Sequence, residues 1–284
     1  MSTNTPAMRD WSWALREQPG MGLGMVVLVV LAVVALLAPW LSAFDPNELD
    51  PLARMKPPSG AHWFGTDALG RDLFTRVVWG ARVSLIVGLA VSAVSMVLGV
   101  VIGMLAGYFR VLDRIVMRIM DGLMAIPNIL LAIALMSAFR GGLGTVIVAI
   151  VIPEVPRVVR LVRGLVLGLR NQAYIEAAVA MGSRTPKILF MHILPNLIAP
   201  LMVQATFIAA SAIITEAALS FLGVGIPPQT PSWGNIISEG RNFLSIAFHI
   251  ILFPGIFLAV TILAVNLVGD GLRDMLDPKL ARRL

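Results

Sequence analysis

The sequence predicts an all-α membrane protein with six transmembrane helices, and three observations carry that reading. Hydrophobic residues make up 58% of the 284-residue chain and charged residues only 13%, a balance too apolar for a soluble domain. Six apolar segments, at about residues 21–41, 83–108, 115–138, 143–161, 198–222 and 247–268, are each long enough to cross a bilayer. Lys and Arg also crowd alternate loops: with the N-terminus inside, 15 fall on the inner side and 7 on the outer side. That asymmetry puts both termini in the cytoplasm. It also accounts for the net charge of +6 without a nucleic-acid partner. The chain has no Cys, which removes disulfide and thiolate chemistry.

Residues 1–20 form a polar N-terminal segment ahead of the membrane domain, 21–284. Trp11 and Trp13 among Arg9 and Arg16 predict a cytoplasmic amphipathic stretch at the interface. Met21–Leu41 makes roughly 32 Å of helix, enough for a core of about 30 Å. It is too long for a signal-peptide h-region and lacks a convincing small-residue cleavage site. Phe44–Gly80 reads as a long polar loop, interrupted by Asp45-Pro46-Asn47 and Lys56-Pro57-Pro58. Within it, Thr66 or Asp67 is expected to cap a solvated interfacial helix carrying Leu73, Phe74, Val77 and Val78 on one face. His62, Asp67 and Asp72 match no metal-ligand spacing, so no metal is expected.

The second span carries Gly88, Ser92, Gly99, Gly103 and Gly107, a small-residue stripe with one break that allows close helix packing. Pro127 should kink the third span, and Gly141–Gly144 makes a tight turn. The fourth contains Pro153 and Pro156, and Glu154 is spaced to pair with Arg157. Arg157, Arg160 and Arg163 mark its polar end. In the fifth span Gln204, Ser211 and Thr215 share one face, with Glu216 near the outer end. Polar groups at such depth either line a transport path or hydrogen-bond between helices. Ser92 and Asn266 are read as the second kind.

Residues 171–195, between the fourth and fifth spans, are too polar to cross the membrane. Asn171–Met181 reads as a short helix capped by Asn171 and ended by Gly182. Thr185 is expected to cap a second helix with Pro186 at its first position. Pro195 is expected to interrupt that helix near Leu194. The turn exposes small residues, Ala177, Ala178, Ala180 and Gly182, across which another protein could approach the backbone closely. On these residues alone, a docking elbow and an ordinary membrane loop both remain open.

The chain contains no G-x-x-x-x-G-K-[ST] phosphate loop, no H-E-x-x-H and no Ser/His/Asp constellation. His62, His192 and His249 fall in different loops or at span ends. The expectation is a non-enzymatic chain whose energy comes from a partner or an ion gradient.

Glu176-Ala177-Ala178, Gly182 and the later Leu194-Pro195 resemble the EAA loop of permease subunits in ATP-binding-cassette (ABC) importers. His192 stands where the general pattern has Ile. The form His192-Ile-Leu-Pro-Asn196 resembles the peptide and nickel branch. Three further blocks resemble the C-type permease subunit of dipeptide, oligopeptide and nickel importers. They are Gly65-Thr-Asp67 with Gly70-Arg-Asp72 and Gly80-Ala-Arg82; Ala218-Leu-Ser-Phe-Leu-Gly223 with Pro231-Ser-Trp-Gly234; and Phe253-Pro-Gly255 with Asn266 to Asp274 and Leu276-Asp277-Pro278. The resemblance runs from about Met21 to Leu280.

It implies a type I importer permease fold in which the loop is a coupling helix seated on a cytoplasmic ATPase. Glu176, Ala177, Ala178, Gly182, Arg184 and Pro195 would carry that contact. Gln204, Ser211, Thr215 and Glu216 would be candidates for the substrate path. It implies a homologous permease subunit as heterodimer partner, two cytoplasmic ATP-binding subunits that use ATP and Mg, and an extracytoplasmic substrate-binding protein. This chain itself would bind no cofactor, and it would sit in the bacterial inner membrane. Dipeptides or short oligopeptides lead as substrate, with nickel, glutathione and other peptide-like solutes as alternatives. A lone ion-coupled transporter would need more intramembrane ionisable groups than Glu154 and Glu216.

Overall fold

A computed structural model describes residues 18–139 and 141–276. The expected amphipathic segment around Trp11 and Trp13, and the Asp277-Pro278 end, lie outside the described residues. Nine helices of eight or more residues occur among the described residues. They are α1 (Pro19–Leu36), α2 (Leu73–Tyr108), α3 (Arg110–Met124), α4 (Asn128–Ala138), α5 (Leu143–Leu169), α6 (Ala173–Ala180), α7 (Leu194–Phe221), α8 (Trp233–Gly240) and α9 (His249–Leu276).

Among the described residues four stretches are long and apolar enough to span a membrane: α1, α2, the run Thr185–Phe221 that contains α7, and α9. The bent pair α3 and α4 counts as a fifth only if the two helices form one span. The expected fourth span is α5, whose 27 residues suffice in length. Glu154, Arg157, Arg160 and Arg163 make its second half polar.

The expected kink at Pro127 is a full break: α3 and α4 meet at 89°. Pro127 has no N–H to continue the ladder and takes ψ 130°, outside the helical region. By contrast Pro153 and Pro156 stay inside a continuous α5.

The small-residue stripe serves two seams, and its break marks the change between them. Gly88 packs on Ile213 of α7, and Ser92 Oγ donates to the Ala205 carbonyl at 2.8 Å. Gly99, Gly103 and Gly107 lie against Val158, Val162 and Val166 of α5. A β-carbon on Gly103 or Gly107 would stand 2.7 Å from a valine Cβ, too close for either helix to yield locally. Gly103→Val is therefore expected to cost about 1–3 kcal/mol by overpacking. A detergent melting curve of the purified protein reads that loss.

Residues 73–82 depart from expectation. At 36 residues α2 is roughly 54 Å long, well beyond the bilayer core. The solvated interfacial helix is instead the first turns of α2, and its cap is Asp72, whose carboxylate accepts from the Thr75 N–H at 2.8 Å. Leu73, Val77 and Val78 are buried because α8 and the start of α9 fold over this end. Trp233 is buried there, and its indole N–H donates to the Val77 carbonyl at 3.0 Å.

A buried charge cluster ties this layer together. Asp67 accepts from Arg71 Nε at 2.6 Å and from the N–H groups of Leu69 and Arg71 at 2.8 and 3.0 Å. Glu239 of α8 meets Arg71 at 2.5 Å and Arg76 at 3.2 Å. Asp72 also pairs with His62 at 2.9 Å.

Candidate functional site

The elbow follows α5 directly. Arg170, at the end of α5, donates to the Gly107 and Tyr108 carbonyls at 3.4 Å, so the elbow sits at the far end of α2 from the charge cluster. Gln172 occupies the N-cap of α6 without a side-chain bond, so Asn171 is not the cap. Ile175 and Ala178, three residues apart, turn inward and are buried. Ala178, expected at the surface, therefore helps anchor the elbow. Glu176, Ala177 and Ala180 are exposed.

The helix ends as Gly182 predicts. Gly182 has φ +78°, where a β-carbon is strained. Its N–H reaches the Val179 carbonyl at 2.9 Å, and the Ser183 N–H reaches that of Ala178 at 3.0 Å. This paired bonding defines a Schellman end. Arg184, exposed, takes the next N-cap position and Thr185 begins the helix, so Thr185 is not the cap either.

Pro195 does not interrupt the second helix. Residues Ile188–Ile193 form a π-helical turn, with the Leu194 N–H bonded to the Leu189 carbonyl, and Pro195 lies in the first turn of α7. The wider turn shifts the ladder by one residue just where a proline would clash with the carbonyl four residues back. The helix then continues to Phe221 without a gap. Ile188, Leu189, Ile193 and Leu197 bury their side chains against α5 and its neighbours.

The result is an elbow with two faces. The inner one is apolar and packed. The outer one carries Glu176, Ala177, Gly182, Arg184 and Pro195 together with Tyr174, Val179, Met181, Phe190 and Met191. Met181 is 80% exposed, and Val179, Phe190 and Met191 are each more than half exposed. The five apolar residues were not among the candidates read from sequence. Phase would not have found them, since Val179 stands one turn from buried Ile175 and Tyr174 one turn from buried Ala178.

The intramembrane polar residues separate into different environments. Gln204 lines an open groove of about 360 Å³ with Leu161, Ala199, Val203, Phe207 and Arg273. Ser211 Oγ donates to Glu154 at 3.3 Å, and Glu154 holds Arg157 at 3.2 Å, the expected i,i+3 pair. Thr215 spends its hydroxyl on the Ser211 carbonyl at 2.8 Å. Glu216 is fully buried, accepts from Ser220 at 2.8 Å, and faces the hydroxyls of Ser84 and Ser232. Ser232 caps α8 with Asn235, and α8 packs Gly234 onto Ala217. Ser211 is thus joined to Glu154 and Arg157, while Gln204 and Glu216 stand apart from them.

The described residues form an all-helical, multi-pass chain with a short exposed elbow between two long helices. Over residues 99–282 the sequence matches the binding-protein-dependent transport system inner membrane component family, and the chain belongs to that family. Residues 7–58 match the N-terminal transmembrane domain of oligopeptide transport permease C. A probable peptide ABC transporter permease, y4tQ of Sinorhizobium fredii, is 55% identical over 268 residues, covering 94% of this chain and 92% of that protein. The dipeptide transport permease DppC of Alkalihalophilus pseudofirmus is 43% identical over 278 residues, covering 96% and 91%. The oligopeptide transport permease OppC of Bacillus subtilis is 41% identical over 261 residues, covering 92% and 86%. Among solved structures, a chain of the MetNI methionine ABC transporter in an inward-facing conformation aligns with a TM-score of 0.54 at 23% identity. It covers 72% of this chain and 96% of that one. The shared fold is that of a type I ABC importer permease.

Proposed function

We propose that this chain moves dipeptides or short oligopeptides across the bacterial cytoplasmic membrane, as one of two permease subunits driven by separate ATPases. The observation that carries the coupling role is the outer face of the elbow. It is a short helix ended by a left-handed glycine, with Glu176 and Arg184 set among exposed apolar side chains. Such a surface fits a groove on a cytoplasmic ATP-binding subunit. ATP and Mg belong to those subunits, and this chain contributes neither an ATP site nor a cofactor.

The Lys and Arg distribution supports placing the elbow and both termini in the cytoplasm. The charge-cluster end then faces outward, where a substrate-binding protein would deliver cargo. Ser211, Thr215 and Gln204 are the proposed path residues, and Glu216 is proposed to hold α8 on α7 rather than to meet cargo. The peptide assignment rests on the names of the relatives. Glutathione is a second reading, because the glutathione transport permease GsiD of Pectobacterium atrosepticum is 43% identical over 281 residues.

The test is to purify the complex from native membranes, reconstitute it, and follow ATP hydrolysis as dipeptide-loaded binding protein is added. Stimulation is expected. Stimulation by glutathione-loaded binding protein alone would favour the second reading. Failure of any ATPase to co-purify would overturn the coupling role of the elbow.

A further inference from the structure

The helix α3 carries a surface that the transport reading leaves unused. Contacts with α5 fix its position: Met120 is buried, Asp113 accepts from Arg163 Nη2 at 2.8 Å, and Asp121, half exposed at the end of the arginine face, pairs with Arg160 at 2.5 Å. On its outward side Arg110, Arg114 and Arg118 recur every four residues, so they form one stripe. All three are exposed, and none has an ion pair or hydrogen bond among the described residues. Beside them runs a second stripe, Val111, Ile115 and Ile119, each more than half exposed.

Two further facts place this surface. One residue, Phe109, separates α3 from the span α2, and three separate it from the apolar α4, from which it turns by 89°. The helix is therefore tied at both ends to apolar helices. It also lies on the side of the elbow, because Arg160 and Arg163 belong to the half of α5 that leads there.

We propose that α3 lies in the inner-leaflet interface and binds anionic phospholipid. Arg110, Arg114 and Arg118 hold phosphate headgroups while Val111, Ile115 and Ile119 enter the acyl region. A basic stripe beside an apolar stripe suits the polar-to-apolar gradient at a bilayer surface. Guanidinium groups match phosphate oxygens in bidentate geometry.

The inference rests on the cytoplasmic placement of this end. Lipid counting needs no transport activity, so its failure is distinguishable from failure of the importer reading. The complete complex is purified in detergent and titrated with phosphatidylglycerol or phosphatidylcholine, and retained lipid is counted by native mass spectrometry. Wild type is expected to retain phosphatidylglycerol in preference. The triple variant Arg110→Gln, Arg114→Gln, Arg118→Gln should lose that preference, at about fivefold in affinity per arginine. The corresponding triple Arg→Lys variant should keep most of it. Equal retention by the glutamine variant and wild type overturns the proposal. So does release of a partner subunit from the glutamine variant with lipid retention unchanged, which would make this face a protein contact. If the triple glutamine variant does not assemble, Arg114→Gln and Arg118→Gln are measured singly. Unchanged retention in both overturns the proposal as well.

Discussion

Gly182→Leu is expected to leave the chain inserted in the membrane and to cut peptide uptake about tenfold or more. The left-handed φ of +78° strains any residue with a β-carbon by roughly 1–2 kcal/mol. No heavy atom lies within 4 Å of where that β-carbon would stand, so the body of the protein loses no packing. The strain is relieved locally, by opening the bonds from Gly182 to Val179 and from Ser183 to Ala178. Those bonds set the angle between α6 and the helix that begins at Thr185. A misdirected elbow, with a leucine standing on a surface suited to close approach, should lose at least 1.4 kcal/mol of docking energy, or tenfold in binding. Uptake of labelled dipeptide is compared with the amount of protein in the membrane. Normal uptake by the leucine variant would remove the coupling role. Gly182→Asn, which tolerates the left-handed region better, should keep most of the activity.

The second large effect belongs to the opposite end. Asp67→Ala is expected to destabilise the layer that α8 and the preceding loop form over the start of α2 by about 3–5 kcal/mol, the usual consequence of stranding a buried charge. Asp67 is 2% exposed, and it is the carboxylate on which both the loop N–H groups and Arg71 converge. Arg76 is fully buried and has Asp67 and Glu239 as its acidic neighbours. Without Asp67, two guanidinium groups share Glu239 alone. The measurement is limited proteolysis of residues 44–72 together with a detergent melting curve. A variant as resistant and as stable as wild type would show that the cluster carries no such load. Replacing Asp67 and Arg71 together by leucine and methionine should recover part of the loss, because no unpaired charge then remains from that pair.

These two residues also show how differently the parts of this molecule can be read. Gly182 is legible because the constraint is local. A helix that must stop takes glycine in a left-handed conformation, whatever surrounds it. Asp67 is not legible in the same way. Read with its neighbours, it suggested a cap for a solvated helix. The arginines it pairs with, Arg71 and Arg76, are shared with Glu239, 172 positions later in the chain. Ala178 shows the same limit on a smaller scale. Its size fits an exposed docking surface, but the helix phase shared with Ile175 turns it inward. Pro195 looked like a stop because proline opposes an α-helical ladder, and a π-helical turn upstream removes the conflict.

Composition, apolar run lengths, the Lys and Arg asymmetry and the glycine stripe specify a helical membrane protein with a polar elbow, because the bilayer acts on each segment separately. A span must be apolar over about 20 residues, and a close helix seam needs small residues at four-residue steps. What required the folded chain was the assignment of partners. Folding sends Gly88 to α7 but Gly103 to α5, divides Gln204, Ser211 and Glu216 among three environments, and covers the first turns of α2 with α8. Those outcomes depend on contacts between residues far apart in sequence, and neither periodicity nor composition specifies which distant surface a given face will meet.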